Sequence, residues 1–255
     1  MTLAEELIEL HKAPREVAPF SERYRGLTPV AGYAAALRLH AHRMAQGWKP
    51  IGRKIGFTNR TLWDRYGVHE PLWGMVYDRT LIRAPGNQAS VDLEGLVQPR
   101  IEPEIAFLLK KAPAPGEDLV ACIEWMAHSV EIVRCHHPAW KVTIADCTAD
   151  NGLHGRLIVG PPQPLAPAEK LPLVEARLFN GERLVDQGIG ANVLGSPLLS
   201  LAHLVKLLEE QPDAPPLRAG EIITTGVLTD AHPVAAGETW RTEVTGFKGL
   251  EVTFS

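Results

Sequence analysis

Apolar and polar positions fall into two regimes along the chain. Up to about residue 50 the apolar residues recur at helical spacing. Thr2, with Glu5 three positions on, forms a capping-box pattern that predicts a helix running to about Ala13, just before Pro14. Thr28, Pro29 and Gly47 bracket a second helix, with Val30, Ala34, Leu37, Ala41 and Met44 as its expected apolar face. Beyond that point the alternation is mainly that of strands. Pro50–Thr58 sets Ile51, Arg53, Ile55 and Phe57 on one face against Gly52, Lys54 and Gly56 on the other. Tyr66–Ile82 mixes turn signals with aromatics and predicts a loop before a strand that carries Asp78. Arg100–Leu109 alternates as a strand. Gly116–Ala127 predicts a helix with Cys122, Ile123 and Met126 inward, ahead of a short apolar strand, Ser129–Val133, interrupted by Glu131. A polar, irregular stretch from Arg134 to His154 follows. Val174–Phe179 and Arg183–Val185 flank Asn180-Gly181, a hairpin signal. Ser196 and Pro197 open a helix with Leu198, Leu201, Ala202, Val205 and Leu208 inward. After a Pro-rich loop at 212–220, strands are expected near Glu221–Thr225, Thr239–Thr245 and Leu250–Phe254.

The 255 residues suffice for a substantial core, and no repeat, low-complexity tract or clear linker divides them after about residue 50. The expected organisation is a helical cap at 1–50 followed by one continuous β-rich domain at 51–255. A formal net charge of -4 offers no electrostatic footprint for nucleic acid or an anionic membrane. No apolar run approaches a bilayer span, and the start, MTLAEELIELHKA, lacks the apolar core of a signal peptide, so a cytoplasmic location is expected. Cys122, Cys135 and Cys147 are odd in number and widely spaced, which suits reduced structural thiols. A cysteine nucleophile beside His136 or His137 has no local support beyond proximity.

Candidate chemistry centres on Arg100–Leu109. Glu102 and Glu104 stand two apart and project from one face of a strand, while Ile101, Phe107 and Leu109 anchor the other. Such a mount suits a hard, oxygen-seeking cation, although a Glu-x-Glu pair taken alone is more often a solvated face. Lys54, between two glycines, is either a desolvated acid, base or substrate cation, or an exposed lysine on an edge strand. Glu131, between Val130 and Ile132, faces either a metal or water. Leu72, Trp73 and Tyr77 would serve a pocket wall or a core equally well. Arg134, His136, His137, Trp140, Lys141, Asp146, Asp150, Asn151 and His154 form either a binding loop or ordinary surface. No H-x-x-x-H spacing favours zinc.

The ordered series GRKIGFT, WGMVYD, PRIEPEIAFLL, VEIV, DCTADNG, ANVLGSPLLSLAHLV and AGEIITTG spans almost the whole chain. It resembles the 2-hydroxypenta-2,4-dienoate hydratase and 4-oxalocrotonate decarboxylase group of the fumarylacetoacetate hydrolase superfamily. The resemblance implies an α+β fold, a mixed β-roll of the fumarylacetoacetate hydrolase C-terminal type with an N-terminal helical cap. It also implies one Mg²⁺ or Mn²⁺ held by Glu102, Glu104 and Glu131, with Lys54 and Asp78 as catalytic residues and a substrate cavity around Leu72 and Trp73. Where the group carries a D-S-R type sequence after the third glutamate, this chain has Arg134, Cys135 and His136. Where it carries small or hydroxyl residues after A-D-N, this chain has Gly152, Leu153 and His154. These departures make His154 a candidate for proton transfer and His136 and Asn151 candidates for substrate contact. The expected activity is addition of water to a 2-hydroxy-2,4-dienoate or its 2-oxo tautomer. Decarboxylation of a 2-oxo diacid and hydrolysis of an acylpyruvate are alternatives that use the same electron sink, and a non-catalytic, partner-activating subunit is an alternative of another class. The resemblance further implies a homo-oligomer, with association with another pathway enzyme as a group trait.

Overall fold

The computed structural model describes residues 1–255 except Thr61, Leu62, Gly67, Pro115 and the side chains of Arg65 and Tyr66. Gly67 and the Tyr66 side chain, in the predicted aromatic loop, therefore lie outside the described residues. In chain order the helices are α1 (Leu3–Lys12), α2 (Phe20–Arg23), α3 (Pro29–Ala45), α4 (Trp63–Tyr66), α5 (Ile144–Ala149) and α6 (Pro197–Glu209). The strands of the larger sheet are β1 (Pro50–Gly56), β2 (Leu72–Tyr77), β3 (Leu81–Arg83), β5 (Arg100–Leu109), β6 (Ile123–Val133), β7 (His154–Val159), β10 (Ile222–Thr224) and β11 (His232–Pro233). They run in the order β2-β1-β10-β5-β6-β7-β3, with β11 added to β5. A second sheet has the order β4-β13-β12-β8-β9, built from β4 (Gln88–Val91), β8 (Glu175–Asn180), β9 (Arg183–Ile189), β12 (Thr239–Val244) and β13 (Glu251–Phe254). The chain is thus α+β, with mixed parallel and antiparallel pairing.

Side-chain parity along β5 and β6 decides what each face of the large sheet does. Ile101, Val130, Ile132 and Ile158 pack with Leu178, Trp240, Val252 and Phe254 of the second sheet into one core cluster. Ile105, Phe107 and Leu109 join Leu201 and Leu204 of α6 in another. Burying each such side chain contributes about 1.5–3 kcal/mol, so the pleat of β5 is firmly specified. The opposite face is left to carry Glu102 and Glu104.

The amino-terminal helices begin where their caps predict. Thr2 accepts from the Glu5 backbone N–H, and the Glu5 carboxylate accepts from that of Thr2. Thr28 caps α3 through the Ala31 N–H. The expected apolar face of α3 is right only at Leu37, which packs against the core: Val30 and Met44 are 78% and 48% exposed, and Gly32, Ala35, Leu39 and Arg43 turn inward. A Cβ on Gly32 would lie 2.2 Å from Thr148 Oγ1 and 2.7 Å from the Ala145 carbonyl, so small residues let α3 lie directly against α5. A hydrophobicity pattern cannot register a face made of glycine, alanine and a buried arginine.

Three further expectations are corrected. Gly116–Ala127 is no helix: one 3₁₀ turn, Leu119–Cys122, leads into β6, which pairs with β5 from Leu109↔Ile123 to Arg100↔Val133. Both faces of β6 are covered, which hides the two-residue alternation of a strand. The Arg134–His154 stretch is not all irregular, because Thr143 and Asp146 form a capping box that starts α5. The β8–β9 hairpin turns one residue later than expected, at Gly181-Glu182, with Asn180 opposite Arg183 and Gly181 at φ +56°. No helix among the described residues is long and apolar enough to cross a membrane.

Candidate active site

Antiparallel register brings the carboxylates together. Glu102 of β5 stands opposite Glu131 of β6, and Glu104 opposite Ser129, so all four side chains share one face. One oxygen from each of Glu102, Glu104 and Glu131 lies within 4.8 Å of the others. Lys54 enters from β1, which lies between β2 and β10 and is not an edge strand; its Nζ is 3.2 Å from Glu131 Oε2. Glycines clear the path of this lysine. A Cβ on Gly56 would lie 3.3 Å from Lys54 Nζ, and one on Gly152 would lie 3.1 Å from its Cδ.

Each carboxylate is oriented by a distinct partner. Gly226, at φ +101°, donates its N–H to Glu104 Oε2 at 2.9 Å. His154 Nδ1 meets Glu131 Oε1 at 2.7 Å, and its Nε2 meets the Thr80 hydroxyl at 2.8 Å. Burial holds His154 below the ordinary histidine value despite Glu131, so it is a neutral imidazole that donates to the carboxylate. Burial and the charge of Glu131 raise Glu102 to about 7, against the pull of Lys54, and push Glu104 well up. Burial would raise Glu131 as well, but Lys54 and His154 outweigh it and keep this carboxyl below its usual range. Burial would lower Lys54, yet the three glutamates outweigh that and keep it an ammonium.

Two buried carboxylates and a half-buried one face a single lysine, and the raised values at Glu102 and Glu104 mark the cost of ionising all three without a further cation. Glu104 Oε1 and Glu131 Oε2 are both buried without a hydrogen bond, the ion pair to Lys54 notwithstanding. Orphaned acceptor oxygens that converge on one point suit a hard divalent cation, so the residues fit such an ion. Beside them opens a cavity of about 290 Å³ whose wall includes Lys54, Glu102, Leu72, Arg100, Trp140 and Asp230.

Comparison with known proteins decides the lineage. No family model matches the chain. The 2-hydroxyhexa-2,4-dienoate hydratase of Comamonas testosteroni is 31% identical over 100% of this chain and 97% of its own. A 4-oxalocrotonate decarboxylase of a Pseudomonas species is 33% identical over 83% of this chain and 81% of its own. The chain belongs to this hydratase and decarboxylase family. Among solved structures, 4-oxalocrotonate decarboxylase from Pseudomonas putida G7, complexed with magnesium and adipate, superposes with a TM-score of 0.89 at 27% identity, covering 99% of this chain and 96% of that one. The fumarylpyruvate hydrolase of Pseudomonas aeruginosa shares the fold at a TM-score of 0.65 and 13% identity, over 79% of this chain and 88% of that one.

Of the ten candidate site residues, the structure gathers Lys54, Glu102, Glu104 and Glu131 and sets Leu72 in the cavity wall. It places the other five elsewhere. Trp73, one residue on from Leu72, faces the opposite side of β2, stacked on Tyr33 at 5.1 Å with Nε1 donating to Gln211. Asp78 is exposed, and its carboxylate accepts the N–H groups of Lys49 and Arg79. The His136 ring bonds Asp150 at 2.9 Å in a buried group with Arg134 and His11. The Asn151 side chain is spent on β2, accepting from Met75 N–H at 2.8 Å and donating to Met75 O at 3.0 Å. His154 stands behind Glu131 and outside the cavity wall.

Polar cavity residues that the pattern did not single out include Arg100, Asp230, Asn59 and His232. Arg100 carried a usable signal, since it shares the parity of Glu102 and Glu104; its guanidinium lies 4.2 Å over the Trp140 ring. Asp230 sits in the loop after β10, and nothing in its local sequence marks it. The cysteines are buried, and burial raises Cys135 to about 12, so neither histidine beside it has a thiolate to activate.

Proposed function

We propose that the protein is a divalent-metal-dependent hydro-lyase that adds water to a 2-hydroxy-2,4-dienoate, through its 2-oxo-4-enoate tautomer, to give a 4-hydroxy-2-oxo acid. The observation that carries this reading is the convergence of Glu102, Glu104, Glu131 and Lys54 at one end of a cavity, in a chain matched from end to end by a named dienoate hydratase. Glu102, Glu104 and Glu131 would hold Mg²⁺ or Mn²⁺, which when bound supplies Lewis-acid stabilisation of the negative charge that develops on a 2-oxo group. Lys54 binds and orients the anionic acid end and is placed to hold or move a proton beside it. Leu72 offers an apolar wall to the carbon chain. Arg100 and Asp230 set the polarity at the outer wall, where substrate substituents would be sorted.

The decarboxylase reading is favoured by one observation, the 0.89 TM-score to an oxalocrotonate decarboxylase over nearly the full chain. One assay separates the two. Purified protein with Mg²⁺ is given 2-hydroxypenta-2,4-dienoate or its hexadienoate homologue, and loss of dienol absorbance is followed; 4-oxalocrotonate is tested in parallel for CO₂ release. Dienol loss without CO₂ release supports the hydratase, and CO₂ release alone would replace it with the decarboxylase. Turnover of neither compound, with full Mg²⁺ occupancy, would leave a partner-activating subunit as the better account.

A further inference from the structure

Arg100 lines the cavity without an anionic partner. Its register neighbours, Val133 on β6 and Pro233 on β11, are apolar and belong to the same wall. Arg53 and Arg134 lie on Glu221 and Asp150. Among the described residues the Arg100 side chain meets no carboxylate or carbonyl, and its charged end lies 4.2 Å over the Trp140 ring. A guanidinium whose face rests on an aromatic ring keeps its edge donors for a planar anion. The backbone is bent to hold that ring in place. Gln98, Ala139 and Trp140 are all left-handed, at φ +47°, +54° and +58°, a region that residues other than glycine occupy at a conformational cost. Gln98 fixes the segment there. Its Nε2 donates to the carbonyls of Cys135 at 3.0 Å and His137 at 2.8 Å, its Oε1 accepts the Ala139 N–H at 3.0 Å, and its own carbonyl accepts from Trp140 Nε1 at 3.1 Å. Strain held by so many bonds, in the wall of a cavity, points to a role beyond packing.

The position of Arg100 says which part of a ligand it meets. It stands one pleat step beyond Glu102 on the same face of β5, on the side away from Glu104, about 7 Å further along the strand. The cavity thus offers the three glutamates and Lys54 in one region and a fixed guanidinium in another. We infer that Arg100 is a specificity-determining residue: seated on Trp140, it receives a second carboxylate, remote from the acid end, of a dicarboxylic 2-oxo or 2-hydroxydienoic substrate. Gln98 and Trp140 are positioning residues that act on the substrate through Arg100. Asp230 in the same wall repels an anion, so removal of Arg100 leaves a wall that disfavours a second carboxylate. The inference rests on the reading of this cavity as the substrate site, and not on which reaction follows.

The test is equilibrium titration of the Mg²⁺-loaded protein with 2-oxoadipate and with 2-oxohexanoate, which differ only in the terminal carboxylate. The parent should bind 2-oxoadipate about tenfold or more tightly, the worth of a charge-assisted hydrogen-bond pair. Arg100→Met and Arg100→Gln should each erase or invert that preference while holding 2-oxohexanoate within about twofold of the parent. Gln98→Ala should lower the preference, and Trp140→Phe, which keeps a ring beneath the guanidinium, should retain it. A merely structural Gln98 would weaken both ligands alike. Equal affinities in the parent, or a preference that survives in either Arg100 variant, overturn this inference and leave the substrate site standing. Binding of neither 2-oxo acid by the parent overturns both.

Discussion

Lys54 and His154 contact the same carboxylate, Glu131, from different directions, and their positions assign them different work. Lys54 faces the cavity, while the His154 ring bonds Glu131 and Thr80 and, among the described residues, is not part of the cavity wall. Lys54→Met should cut turnover of the dienoate by about 10²–10⁴-fold, the range for a group that moves a proton. Its Mg²⁺ affinity should hold or rise, because a cation beside the ligands is gone; a parallel loss of affinity would contradict the assignment. His154→Asn should behave the other way, weakening Mg²⁺ about 10–100-fold while kcat recovers at saturating metal. Steady-state rates over a Mg²⁺ series distinguish the two. The parity of Glu102 and Glu104, a carboxylate set between Val130 and Ile132, and a lysine between glycines were all legible in the chain, because each is a statement about one strand. Trp73, Asp78, His136 and Asn151 were misplaced because their partners come from remote elements: Gln211, Lys49, Asp150 and Met75. No local pattern carries that information.

At the level of elements, α1 and the segment after β6 are locked together through one buried carboxylate. Asp150 accepts from Arg134, His136 and His11, and Arg43 of α3 meets the other nitrogen of His11 at 2.7 Å. Burial, then the charge of Arg134, lowers His11 to about 3, against the opposing pull of Asp150. The folded-state value thus lies below the unfolded value of about 6.5. Stability from this group is fully present above about pH 6.5 and is lost as pH falls toward 3, by about 1.4 kcal/mol for each unit below 6.5. Asp150, held well below its usual range, adds a loss of the same sign at lower pH. His11 therefore pulls the thermal midpoint down between pH 6.5 and 4.5, against the opposite pull of Glu102 and Glu104, which take up protons in the folded chain, and His11→Gln should remove that downward contribution to the slope. Equal slopes in the two proteins would remove His11 from the account. The helix caps of α1, α3 and α6 were readable because Thr2, Thr28 and Ser196 act within one turn. The strand character of residues 123–127 was not, since it depends on pairing with β5.

For the whole molecule, the decisive fact is that three acidic side chains, Glu104 and Glu131 buried and Glu102 half-buried, cluster on central strands of the larger sheet. β5 lies fourth in the order β2-β1-β10-β5-β6-β7-β3, with β6 beside it, so the charges cannot be relieved by fraying an edge. Raised values at Glu102 and Glu104 show that the fold bears a cost for ionising them without a counter-ion. An ion that binds the folded chain and not the unfolded one stabilises by RT ln(1 + [L]/Kd), about 2.7 kcal/mol at a hundredfold excess over Kd. For a chain of this size that corresponds to a rise of about 5–10 °C in thermal midpoint. Adding Mg²⁺ to chelator-stripped protein at pH 7.5 should produce that shift, and Glu104→Gln should show little or none. The same comparison at pH 5.5 should give a smaller shift, because protons then compete for the carboxylates. Calcium would stabilise through the same oxygens, so the shift reports occupancy, and the dienol assay run on the same samples reports chemistry. If the midpoint rises with Mg²⁺ and no dienoate or oxalocrotonate is consumed, the cluster is a structural metal site and the lyase reading falls. If both respond together and both fail in Glu104→Gln, the ion serves the fold and the reaction at once.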